Sequence, residues 1–221
     1  MRSRTLTNSI IGGCLLGFAM MAMPLPAQAQ VWTEWSEKQQ ARRLEQFARL
    51  TPEHFARTSK IEDDGLEVVA TIHTRDGYTF KGGLTDRMRA DTFLRAFVDK
   101  RSGSATYQLY AQLSYSGEWR TFSSALYATS QGPVSVPLTV IDRDVDCHYG
   151  TCVFTEHVTF PLPEEIVREL AGQADEHTVK PWRFRFKARS GLDWTDDMTP
   201  AEAAGLLLAV ERYRAAKIGD E

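Results

Sequence analysis

The stretch that decides the fold is residues 139–160, which read TVIDRDVDCHYGTCVFTEHVTF. The residues that flank its two cysteines alternate with a period of two, the spacing of a β-strand. We therefore expect two antiparallel strands joined by a four-residue turn over 148–151, in which Gly150 supplies a positive φ. With the cysteines directly opposed, the predicted cross-strand pairs are Cys147 with Cys152, Val145 with Phe154, Arg143 with Glu156, Ile141 with Val158 and Thr139 with Phe160.

This register gives the two faces of the hairpin different chemistry. The cysteine face is largely apolar, and on it we predict a structural ion pair between Arg143 and Glu156. The other face carries three aspartates and a histidine, Asp142, Asp144, Asp146 and His157. A slip of one residue would move every side chain to the opposite face, so these pairings specify the register.

The N-terminus predicts export. Arg2 and Arg4 precede an apolar run over 10–23, and 27–29 read Ala-Gln-Ala. This pattern is typical of a signal peptide over 1–29, cleaved after Ala29, and indicates a bacterial periplasmic or secreted protein. A lipoprotein anchored through Cys14 is the alternative. It is disfavoured because the strongest apolar stretch would then follow the cysteine.

Signal cleavage would leave two cysteines, Cys147 and Cys152, in an oxidising compartment, so we predict a disulfide between them. Their spacing fits neither a redox C-x-x-C motif nor a zinc site. No run of about 18 apolar residues occurs after residue 29, so the sequence predicts no transmembrane anchor there. The formal net charge of −3 argues against nucleic acid as a partner.

The remaining residues predict a single α+β domain over 30–221, with an antiparallel β-sandwich or strongly curved sheet of about seven to eight strands. A hairpin turn at 75–77 and a meander of three runs, over 93–100, 106–115 and 119–127, are expected within its β-rich body. Alternation in the middle run predicts one apolar face made of Tyr107, Leu109, Ala111, Leu113 and Tyr115. Thr199 and Glu202 have the spacing of a capping box. The predicted segments are an N-terminal helix over 33–50, the β-rich body over 66–161, a short helix over 163–171, an edge strand with one solvated basic face over 182–187 and a C-terminal helix over 199–215.

These features favour a disulfide-stapled binding protein whose partner is another envelope protein. The predicted contact surface is the hairpin tip, His148, Tyr149, Gly150 and Thr151. A small-ligand or metal-ion binder is the alternative, because Asp142, Asp144, Asp146 and His157 carry oxygen and imidazole ligands. A solvated polar face with a contact between His157 and an aspartate is the simpler interpretation of these residues. A hydrolase is a third hypothesis, although no nucleophile elbow, zinc or dinucleotide motif occurs, and no cofactor is predicted.

Overall fold

The structure is a computed structural model that describes residues 38, 40–79, 88–148, 150–174 and 180–218. The predicted signal segment 1–29 and the tip residue Tyr149 lie outside the described residues. The chain divides into two compact units, Met1–Lys38 and Gln39–Glu221. All the elements below, apart from helical residue 38, belong to the second unit.

Four α-helices lie in the described part of the chain. Within the predicted N-terminal helix, residue 38 is helical and residues 40–47 form helix α1. None of the described helices has both the length and the hydropathy of a membrane span. The hydroxyl of Thr51 caps the next helix by accepting from the backbone N–H of His54 at 3.2 Å. The other three helices are α2 (Pro52–Thr58), α3 (Glu164–Ala171) and α4 (Pro200–Ile218).

Ten strands, all antiparallel, form two sheets in the described residues. The first five strands are β1 (Lys60–Glu62), β2 (Val69–His73), β3 (Met88–Asp99), β4 (Ala105–Ser116) and β5 (Phe122–Thr129). The second five are β6 (Gly132–Pro137), β7 (Thr139–His148), β8 (Thr151–Leu162), β9 (Trp182–Ala188) and β10 (Trp194–Met198). Sheet one has the order β1-β2-β3-β4-β8-β7, and sheet two has the order β10-β9-β5-β6.

The core lies between the two sheets and extends under α3 and α4. One face of β4 supplies the alternating row expected from the sequence, and the whole row is buried: Tyr107, Leu109, Ala111, Leu113 and Tyr115. Across the interface the rings of Tyr127 and Phe160 stack with centroids 5.7 Å apart. The fold is therefore α+β and sandwich-like, as predicted, with two open sheets and more strands than the seven or eight expected.

Three details of the prediction are wrong. The third run of the expected meander leaves sheet one, because β5 pairs with β6 and β9 and not with β4. Residues 75–77 form a 3₁₀ turn and not a hairpin, and β2 pairs with β3. The basic strand β9 is not an edge strand, because it lies between β5 and β10 in sheet two. Two residues of its basic face, Arg183 and Lys187, form salt bridges with Asp197 and Asp193.

Candidate functional site

The cysteine hairpin has the predicted register over its outer half. Cys147 and Cys152 form a disulfide and lie opposite each other with their Cα atoms 4.0 Å apart. The pairs Val145 with Phe154 and Arg143 with Glu156 are also confirmed as register partners. The turn is tighter than expected, because β7 ends at His148 and β8 begins at Thr151. Gly150 has the positive φ that the turn requires, 78°.

Towards the base of the hairpin the predicted register is wrong. Thr139 pairs with Thr159 and not with Phe160, and Val140, not Ile141, is opposite Val158. The register shifts between Val140 and Asp142, so Ile141 is an extra residue in β7. A single inserted residue of this kind is a β-bulge, which alternation of apolar and polar residues does not reveal. The side chain of Ile141 is consequently 52% exposed.

β7 is the last strand of sheet one and pairs only with β8 among the described residues. The close Cα atoms of the cysteines are typical of a pair without mutual backbone hydrogen bonds. The N–H of Arg143 accordingly does not point to β8 but donates to Oδ1 of Asp142 at 2.8 Å. Because this pattern alternates along the strand, the backbone groups of Val145 and Cys147 point to the open edge.

The other three sheet edges in the described structure are short or blocked. β1 has three residues and β10 has five. β6 has six residues but contains Pro133 and Pro137, which lack the N–H that a neighbouring strand would need. β7 has ten residues, all exposed, and no proline. It is thus the longest edge strand without a proline in the described structure.

The predicted partner of Arg143 is a fully buried carboxylate with four donors. Glu156 Oε1 accepts from the hydroxyl of Tyr115 at 2.5 Å and from the N–H of Thr121 at 2.9 Å. Its Oε2 accepts from the N–H of Phe122 and from Nε of Arg143, both at 3.2 Å. Burial, and then the hydrogen bond to Glu156, raise the pKa of the Tyr115 phenol well above its ordinary value.

Glu156 does more than form an ion pair with Arg143, because it also accepts from two backbone N–H groups. Thr121 and Phe122 lie where the chain leaves sheet one and enters sheet two. Thr121 has a φ of 57°, a left-handed conformation that is unfavourable for a non-glycine residue. Its hydrogen bond to Glu156 compensates part of that cost. The sequence identified the pair with Arg143 but gave no signal for the two backbone donors.

The acidic stripe, Asp142, Asp144 and Asp146, is exposed along β7. His157 lies opposite Asp142 in the register, but its Nδ1 is hydrogen-bonded to the Tyr110 hydroxyl at 2.7 Å. At the tip, Nε2 of His148 lies 2.9 Å from Oδ1 of Asp146. No group of three or more His, Cys, Asp or Glu side chains in the described residues has an arrangement that could hold a metal ion. The geometry therefore adds no support to the metal-ion alternative.

The capping-box prediction for a second buried acid, Glu202, is wrong, because it expects the Glu202 side chain to bond to Thr199. Its Oε1 does not reach back to Thr199; it accepts from the Thr74 hydroxyl at 2.6 Å and from the N–H of Leu94 at 3.2 Å. This contact ties α4 to β3 and to the end of β2. Complete burial, with a smaller effect of the nearby Asp91 and Asp196 carboxylates, raises the pKa of Glu202 to about 8.

Another carboxylate, Asp196 on β10, lies close to this acid. Its Oδ1 lies 2.6 Å from Nη2 of Arg43 on α1, and its Oδ2 accepts from the Thr92 hydroxyl at 3.1 Å. Asp196 and Glu202 are each only 3% exposed. Since the two carboxyls are closed off from solvent and bonded within the fold, their contacts serve to join α1, α4 and both sheets.

No family model, curated protein or solved structure matches this chain. Its function is therefore inferred from its own geometry.

Replacing Glu156 tests the four-donor arrangement. Glu156→Ala should lower the free energy of unfolding by about 3 kcal/mol, because two backbone N–H groups and the buried tyrosine hydroxyl lose their acceptor. Arg143→Gln should lower the free energy of unfolding by only about 1 kcal/mol or less, since the Arg143 guanidinium is partly exposed and Glu156 keeps three donors. Urea denaturation measures both values. Equal losses would show that the ion pair alone accounts for the role of Glu156.

Glu202 should make the stability depend on pH. Its folded pKa of about 8 lies above the ordinary carboxyl value, so its contribution is complete below about pH 4.5 and is lost as the pH rises towards 8. The slope in that window should approach 1.4 kcal/mol per pH unit, roughly the energy of one unit of pKa. Thermal denaturation between pH 4.5 and 8 should therefore show a flatter profile for Glu202→Gln.

The exposed Glu165 on α3 provides the matched control for this experiment. Glu165→Gln should keep the wild-type profile. A wild-type slope that persists in Glu202→Gln would contradict the assignment.

Proposed function

We propose that the protein is an exported binding protein of the bacterial envelope, periplasmic or secreted, and that the β7–β8 hairpin is its contact surface. The observation that supports this most strongly is the long exposed edge of β7, stapled at its tip by a disulfide. A disulfide favours an oxidising compartment outside the cytoplasm. The predicted signal peptide gives the same location.

The rigidity of the hairpin suits it to binding. The disulfide closes a short loop, and Glu156 fixes β8 to Arg143 of β7 and to Tyr115 of β4. A surface that is ordered before it meets a partner loses less conformational entropy on binding. The predicted tip residues His148, Gly150 and Thr151 continue this surface beyond the edge strand.

A photoreactive benzoylphenylalanine introduced at Val145 tests this function in intact cells. Val145 is on the open edge and its side chain is 45% exposed. We expect discrete covalent adducts with a small number of envelope proteins after irradiation, detected by mass spectrometry. Ser135, exposed on the edge strand β6, is the matched control position and should give none.

Two results would contradict the proposed function. The first is the absence of adducts at Val145 although the protein is expressed and folded. The second is the same set of adducts at Val145 and Ser135, which would indicate random collision and not a specific surface.

A further inference from the structure

We infer that β7 binds its partner by strand addition, and that the partner is an extended segment in which basic and apolar residues alternate. This inference rests on the proposed function, since it names the chemistry of the partner that the hairpin would bind. Strand addition to an open sheet edge is a general mode of peptide recognition. Backbone hydrogen bonds supply affinity, and alternate side chains supply specificity.

The backbone geometry allows such an addition. Val145 and Cys147 direct their N–H and C=O groups to the outer edge, as their non-hydrogen-bonded pairing with Phe154 and Cys152 indicates. The bulge at Ile141 and the bond from Arg143 N–H to Asp142 limit pairing near the base of the strand. The usable edge therefore runs from Asp144 towards the tip.

The two faces of β7 specify the two kinds of partner side chain. On one face Asp144 and Asp146 would lie beside alternate residues of an added strand, which favours lysine or arginine at those positions. On the other face Val145 and the disulfide would contact the intervening residues. Apolar side chains fit there, because Val145 is partly exposed and its neighbour Phe154 stacks on Tyr115.

The same charges argue against a second copy of this chain as the occupant. In an antiparallel pairing of two β7 strands centred on Val145, Asp144 of one copy would lie opposite Asp146 of the other. Like charges directly opposite each other on neighbouring strands are destabilising. The aspartates thus discourage self-association at this edge while leaving it open to a basic strand.

Three labelled hexapeptides test the inference on the full folded protein by fluorescence anisotropy. The first alternates lysine and valine, the second has the same composition arranged as three lysines and then three valines, and the third alternates glutamate and valine. We expect the alternating basic peptide to bind at least roughly tenfold more tightly than the other two. Equal binding of the two lysine peptides would reduce the interaction to unspecific charge attraction and overturn the inference.

Variants of the protein separate backbone pairing from charge. Val145→Pro removes an outward N–H without removing a hydrogen bond to β8. It should weaken binding of the alternating basic peptide roughly tenfold. Combining Asp144→Lys with Asp146→Lys should reverse the preference towards the glutamate peptide. A preference for the lysine peptide that survives this double substitution would contradict the role of the stripe.

Two controls keep the result interpretable. If Val145→Pro does not fold, a lysine–valine peptide methylated on its backbone nitrogens replaces it and should lose binding to the wild-type protein. Size-exclusion chromatography of the free protein should give a monomer, and a dimer abolished by Val145→Pro would assign the edge to a second copy. Specific cross-linking at Val145 without binding of the alternating peptide would refute strand addition and leave the proposed function standing.

Discussion

The interaction on which the described fold depends most is the buried Glu156 carboxylate. Its two oxygens accept from β4, from β7 and from the two residues at which the chain crosses from sheet one to sheet two. A buried charge is tolerated only where enough donors surround it, and here four do so. The position of sheet two and the stiffness of the hairpin therefore have a common origin.

The exposed edge follows from this arrangement. β8 is held on one side by β4 and through Glu156 by the surrounding residues, so β7 can extend from it without cover on its other side. Long edges usually carry devices against aggregation, and β7 has three aspartates and a bulge. The bulge limits pairing near the base of β7 with any strand. The aspartates act against strands of the same charge but not against a basic strand, which makes the rest of the edge selective.

The hairpin register could be predicted from Arg143 to the tip, because two cysteines and a period of two constrain the same pairs. The buried row of β4 was predictable for the same reason. The bulge at Ile141 could not be, since one inserted residue leaves the surrounding alternation almost unchanged. The transfer of β5 to sheet two and the turn of Glu202 towards Thr74 depend on contacts distant in sequence, which local spacing does not encode. The paired charges Arg143 and Glu156 were visible in the sequence, whereas the backbone donors Thr121 and Phe122 were not.

The most direct test of the central claim, that β7 presents an open and rigid edge, is residue-resolved amide hydrogen exchange of the free monomer by NMR. The amides of Val145 and Cys147, which point outward, should exchange rapidly. Those of Asp144 and Asp146, which point to β8, should be protected by the stapled hairpin. Equal protection of all four amides would contradict the account, because it would show that the edge is already covered in the free protein.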